Sequence, residues 1–120
     1  MKENDPNNLI GWFEDMGADD VAVVGGKNAS LGEMIRALKR EDIRVPDGFA
    51  TTSEAYRDFL HANDLEQKIQ DRLDDLHQGK QPLEKIGKSI RRLFARAAFP
   101  EKTAQAIGEA YDHLAGRYDD

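Results

Sequence analysis

The stretch VVGGKNASLGEM, Val23 to Met34, marks a change of period in a chain of 120 residues. Just before and into it, apolar residues run consecutively as Val21-Ala22-Val23-Val24. After it they recur at Leu31, Met34, Ile35 and Leu38. That is i, i+3, i+4 and i+7, one face of a helix. The reading is a strand over 21–24, a glycine turn, and a helix that ends near Arg40. Ser30 and Glu33 have the capping-box spacing, and Asn28 is an alternative cap. Lys39 and Arg40 fall where cations favour a helix C-terminus.

Towards the N-terminus, Leu9-Ile10-Gly11-Trp12-Phe13 reads as a strand preceded by Pro6 and Asn7. With 21–24 it predicts a hairpin or strand-loop-strand. Towards the C-terminus, Pro46 forces Val45 extended, and Asp47-Gly48 is turn chemistry. A further short strand is expected about Phe49. Thr51 and Glu54 repeat the capping-box pattern before a helix bearing Ala55, Tyr56, Phe59 and Leu60. Asp64 caps the next helix, with Leu65, Ile69, Leu73 and Leu76, and Gly79 stops it. Pro82 suits the first position of a helix bearing Leu83, Ile86, Ile90, Leu93, Phe94 and Ala97. After Phe99-Pro100, a last helix carries Ala104, Ile107, Tyr111, Leu114 and Tyr118, before Asp119-Asp120. The fold class is α+β, mainly α: about five helices behind two or three short N-terminal strands, in a single domain over 1–120.

Composition narrows the function classes. Hydrophobic residues make up 39% and charged residues 33%, a globular balance. The formal charge of −6 argues against a protein that tracks nucleic-acid backbone or anionic membrane. The absence of cysteine excludes disulfides and thiolate metal sites. The N-terminus MKENDPNNL lacks the apolar core of a signal peptide, and no apolar run approaches the roughly 20 residues of a membrane span. A cytoplasmic location is expected.

Gly25-Gly26-Lys27 is the candidate anion site. It is not a Walker A loop, because the first glycine of that pattern falls on Val21 and the magnesium-binding hydroxyl falls on Asn28. The looser chemistry remains. Glycines let backbone amides approach an anion, and a helix N-terminus and a lysine add positive charge. The competing reading is a tight turn with a solvated lysine. His61, His77 and His113 lack helical metal-site spacing and read as surface residues. Asp71, Asp74 and Asp75 read as a polar helix face. Arg91, Arg92 and Arg96 read as a solvated face or a contact to acidic neighbours, with an anion site a poor second. Tyr56, Phe59, Phe94 and Tyr111 read as core. No catalytic residue and no metal ligand is assigned.

Two ordered strings, VGGKNASLGEM and VPDGFATT, carry a resemblance. WFEDMGADDVAVVGGKNASLGEMI followed by IRVPDGFATTSEAYRDFL resembles the beginning of phosphoenolpyruvate synthase, also called pyruvate, water dikinase. The likeness continues through HANDLEQKI and GKSIRRLF…FPEKTAQAIGEAY, and so covers nearly the whole chain from Leu9. Pyruvate, phosphate dikinase and rifampicin phosphotransferase share the Gly-Gly-Lys opening, but Asn28-Ala29-Ser30 resembles the synthase more closely. The resemblance implies a larger phosphotransferase of gluconeogenesis, which converts ATP, pyruvate and water to AMP, phosphoenolpyruvate and phosphate with Mg2+. It implies an ATP-grasp-like N-terminal domain, here in part, with Gly25, Gly26 and Lys27 at the ATP phosphates. The family's Arg-Ser-Ser strand, swivelling phosphohistidine domain and pyruvate-binding barrel are absent from these residues. The chain is then expected to contribute to ATP binding without turnover alone, and to dock with the remaining synthase domains. The alternatives are a stand-alone nucleotide-binding or docking module, or a non-functional remnant.

Overall fold

The computed structural model describes residues 8–118. Pro6, Asn7 and the terminal Asp119-Asp120 lie outside the described residues. The elements are β1 (Ile10–Trp12), α1 (Val21–Val24), α2 (Gly26–Arg40), β2 (Phe49–Thr51), α3 (Ser53–Ala62), α4 (Leu65–His77), α5 (Leu83–Arg96) and α6 (Glu101–Tyr118). Two 3-10 turns, Phe13–Asp15 and Ala18–Asp20, connect β1 to α1. The mainly helical α+β class is thus observed.

The chain divides into two compact units. One contains the described residues up to Tyr56 together with those from Glu101 onward; the other is Arg57–Pro100.

In the first unit, β1 pairs antiparallel with β2, with Trp12 opposite Phe49. Their rings lie 5.5 Å apart, and His113 of α6 meets the Trp12 ring edge-on at 5.3 Å. An aromatic pair of this kind contributes about 0.5–1.5 kcal/mol beyond its buried area. The strand about Phe49 is therefore the true partner of the N-terminal strand. The expected hairpin with 21–24 does not form, because Val21–Val24 is one turn of helix. The carboxylate of Asp20 explains the start of that turn. It is buried and accepts a hydrogen bond from the Gly17 amide at 2.9 Å, which winds the chain just before Val21. Val24 then packs with Met16 and Ala29 in the apolar centre of the unit. A four-residue apolar run has no period by which to tell helix from strand.

The capping expectations shift in the same way. α2 begins at Gly26, so Asn28 and Ser30 lie inside it rather than at its cap. Glu33 does not close a capping box with Ser30; its Oε1 accepts from the Ala18 amide at 2.8 Å. At α3 the cap is Thr52, whose Oγ1 accepts from the Ala55 amide at 3.2 Å, rather than Thr51.

In the second unit, α4 and α5 pack as a helical pair. Asp64 precedes α4 with φ 54°, without a side-chain capping bond. Pro82 stands one residue before α5 rather than within it. The asparagine Asn63 clips the ends of this unit together. Its Nδ2 donates to the Ala98 carbonyl at 2.8 Å, and its Oδ1 accepts from the Ala98 amide at 3.0 Å. The expected aromatic core is only half right. Phe59 and Phe94 stack at 6.2 Å and are half-buried, but Tyr56 and Tyr111 are 54% and 64% exposed. Their phenol hydroxyls remain in water, which an enclosed site would have to satisfy otherwise. Phe94→Ala is accordingly expected to cost about 2–3 kcal/mol, below the 3–5 kcal/mol of a fully enclosed ring. A urea-denaturation series reads this as a lowered midpoint, and an unmoved midpoint contradicts the stacking.

Candidate functional site

Gly25 and Gly26 form the junction between α1 and α2. The Gly25 amide donates to the Val21 carbonyl at 2.8 Å and ends the first helix. The Gly25 carbonyl accepts from the Ala29 amide at 3.0 Å and begins the second. Between these roles the backbone of Gly25 takes φ 85° and ψ 158°, a conformation that L side chains rarely adopt. The glycine is thus required by geometry. Gly26 is not: its backbone is ordinary, and a Cβ there would meet no atom within 4 Å. Open space therefore faces the helix at both glycines.

α2 has 15 residues, and its first amides, those of Gly26, Lys27 and Asn28, have no carbonyl of the preceding turn to bond within the helix. They carry the positive end of the helix dipole. Lys27 is exposed and makes no hydrogen bond or ion pair with another described residue. Lys27 is the second residue of α2. The Asn28 side chain is committed elsewhere, donating through Nδ2 to the Val24 carbonyl at 2.8 Å. It braces the glycine junction from the protein side. Ser53, at the start of α3, braces it from another, with its Oγ 2.8 and 3.0 Å from the carbonyls of Ala22 and Val23. The role of Ser53 was not legible in the sequence; only its place directly after VPDGFATT gave a hint.

The second motif, VPDGFATT, anchors this frame. Asp47 is buried and bonded three ways: its carboxylate accepts from the Glu14 amide at 3.2 Å and from Arg117 Nη1 at 2.9 Å, and its own amide donates to the Tyr118 hydroxyl at 2.6 Å. Arg117 also meets Glu14 Oε2 at 3.5 Å, and Lys39 meets the same oxygen at 3.1 Å. The C-terminal ends of α2 and α6 are thereby tied to the turn after β1. The Glu14 carboxyl is held below its ordinary value, first by the hydrogen bond from Lys39, against the opposing effect of desolvation, and then by Arg117. A lowered carboxyl contributes stability that is fully present above its unfolded value and is lost as pH falls through the folded one. Glu14→Gln is therefore expected to lower stability modestly at neutral pH and to flatten the loss below pH 4.5, where variant and wild type converge. Thermal melts across that range check it; an unchanged acid profile contradicts it.

His61 and His77 are exposed at helix ends, and His113 packs on Trp12. Asp71 and Asp74 accept from Gln67 and Gln70 at 2.9 Å along the exposed face of α4. Among the described residues no group of three or more His, Asp or Glu side chains is arranged to hold a metal ion. No helix of the described residues is long and apolar enough to cross a membrane.

A braced glycine junction that opens a long helix, with an exposed lysine on its first turn, offers backbone amides and positive charge to an anion. The chain belongs to the family of pyruvate phosphate dikinase AMP/ATP-binding domains, whose family model matches residues 21–120. Among its relatives are phosphoenolpyruvate synthases. The chain is 46% identical over 111 residues to that of Synechocystis sp., covering 92% of this chain and 14% of the relative. It is 44% identical over 109 residues to that of Neisseria meningitidis, with 90% and 14% covered. It is 41% identical over 116 residues to that of Escherichia coli, with 95% and 14% covered. The chain thus spans about one seventh of the length of these relatives and matches their N-terminal region.

Proposed function

We propose that these residues supply one wall of the ATP site of a phosphoenolpyruvate synthase, with the Gly25-Gly26-Lys27 junction receiving the nucleotide phosphates. The observation that carries the reading is the N-terminus of α2, where the first amides lack helical partners, Lys27 is exposed and bonds no other described residue, and a Cβ at Gly25 or Gly26 would meet no atom within 4 Å. An anion placed there meets the helix dipole and a full positive charge together. The family supports ATP as that anion. The reaction of the whole synthase is the conversion of pyruvate, ATP and water to phosphoenolpyruvate, AMP and phosphate.

Phosphoryl transfer depends on several charges converging on the transferred group. One lysine and three amides do not complete such a site. The chain is therefore read as a contributor to ATP binding that docks with further synthase domains, which hold pyruvate and the phosphohistidine. Mg2+ finds no carboxylate cluster among the described residues, so its place in this reading is on the nucleotide itself. The setting is cytoplasmic.

Gly26→Ala tests the reading with little structural cost, since the added methyl meets no atom of the protein. In a synthase that carries this sequence at its N-terminus, the variant is expected to keep its thermal midpoint and to raise KM for ATP about tenfold, equivalent to ~1.4 kcal/mol of lost binding. Wild-type ATP kinetics would remove the glycine junction from the nucleotide site.

A further inference from the structure

The unit Arg57–Pro100 holds a cavity of about 340 Å³ between α4 and α5. Its polar lining is Asn63, Lys68, Arg72, Ser89, Arg92 and Arg96. Four of these six side chains are cations, and no carboxylate lines the cavity. This is notable in a chain with a formal charge of −6. The cations come in two pairs, Lys68 with Arg72 and Arg92 with Arg96, each spaced i, i+4 on one helix face. Like charges at that spacing repel one another. Neither pair is relieved by an ion pair with another described residue. An anion between the helices would relieve both.

The cavity is also held in shape. Arg72 is half-buried, and its Nε donates to Ser89 Oγ at 2.7 Å, which ties α4 to α5 across the cavity. Lys68 Nζ donates to the Asn63 carbonyl at 3.2 Å, and Asn63 is itself clipped to Ala98. Leu93 and Ala97 give one wall an apolar surface. The volume lies within the roughly 300–1,000 Å³ of small-molecule sites.

We infer that this cavity is a binding site for a small anion carrying two or more phosphoryl groups, separate from the Gly25-Gly26-Lys27 junction. The Arg92 and Arg96 guanidiniums make no hydrogen bond with another described residue, so both planar forks are free to meet phosphoryl oxygens in bidentate fashion. Lys68 adds a point charge, and Arg72, fixed through Nε, keeps its terminal nitrogens. The inference does not depend on the ATP reading of the first unit.

The test is a ¹⁵N NMR titration of the 120-residue chain with inorganic pyrophosphate, set against sodium chloride at equal ionic strength. Saturable shifts are expected in residues 63–72 and 89–97, with Kd of about a millimolar or tighter. The double variant Arg92→Gln/Arg96→Gln is expected to weaken binding at least tenfold while keeping the amide spectrum of the unit, because both side chains are exposed. Lys27→Ala is expected to leave the saturation of the shifts in residues 63–72 and 89–97 unchanged. Shifts no larger than those in sodium chloride, or shifts that survive loss of both arginines, would overturn the site.

Discussion

Gly32→Val is expected to lower the unfolding free energy by about 3 kcal/mol. Gly32 lies on the face of α2 that crosses Met16, and a Cβ there would fall well inside contact with the Met16 carbonyl oxygen and side chain. Met16 is fully buried, so it has no room to retreat. The clash is with backbone, which yields less readily than a flexible side-chain tip. The control is Gly108→Ala in α6, where a Cβ meets nothing within 4 Å. There the same kind of change is expected to stabilise by about 0.5–1 kcal/mol, through helix propensity alone. Equal effects at the two positions in chemical denaturation would contradict the close approach of α2 to Met16. The consequence for function is direct. α2 carries the glycine junction on its first turn, so any shift of α2 against Met16 moves the amides of Gly26, Lys27 and Asn28 with it.

Lys27→Ala is expected to leave stability almost unchanged and to weaken ATP binding by about tenfold to a hundredfold in a synthase that carries this sequence. The first half follows from exposure: the ammonium bonds no other described residue, and such surface changes fall within about ±0.5 kcal/mol. The second half follows from the value of a hydrogen bond to a charged group, about 1.5–3 kcal/mol. Lys27→Arg separates charge from geometry. It keeps the charge and is expected to recover part of the loss, since a planar fork replaces a compact point charge. Wild-type ATP kinetics in Lys27→Ala would leave Gly25-Gly26-Lys27 as a turn with a solvated lysine.

Helices were legible where their period was long. Leu65, Ile69, Leu73 and Leu76 predict α4, and the series from Leu83 to Phe94 predicts α5, because several turns of spacing leave little ambiguity. The error at Val21–Val24 arose where four consecutive apolar residues offered no period, and where the deciding contact, the Gly17 amide on the Asp20 carboxylate, was a local turn rather than a pattern. The candidate site was legible as far as Gly25, Gly26 and Lys27, since those residue types suit an anion whatever follows them. Its bracing was not. Ser53 reaches back 30 and 31 residues to Val23 and Ala22, and Arg117 and Tyr118 reach Asp47 across 70 and 71. No local signal encodes such pairings. The cavity of the second unit shows the same limit. Arg92 and Arg96 read as a solvated face until α4 brings Lys68 and Arg72 beside them.

Binding of Mg-ATP to the 120-residue chain, followed at the backbone amides by ¹⁵N NMR, decides whether the glycine junction receives the nucleotide. An isolated junction has to offset the entropy of holding the nucleotide with one charge and a few amides, so Kd is expected at roughly a millimolar or weaker. The shifts of Gly26, Lys27 and Asn28 are expected to move together on one saturation curve, and to shrink at least several-fold in Lys27→Ala. Amides of Gly26, Lys27 and Asn28 that stay in place, while the nucleotide binds elsewhere on the chain, would remove the junction from the nucleotide site.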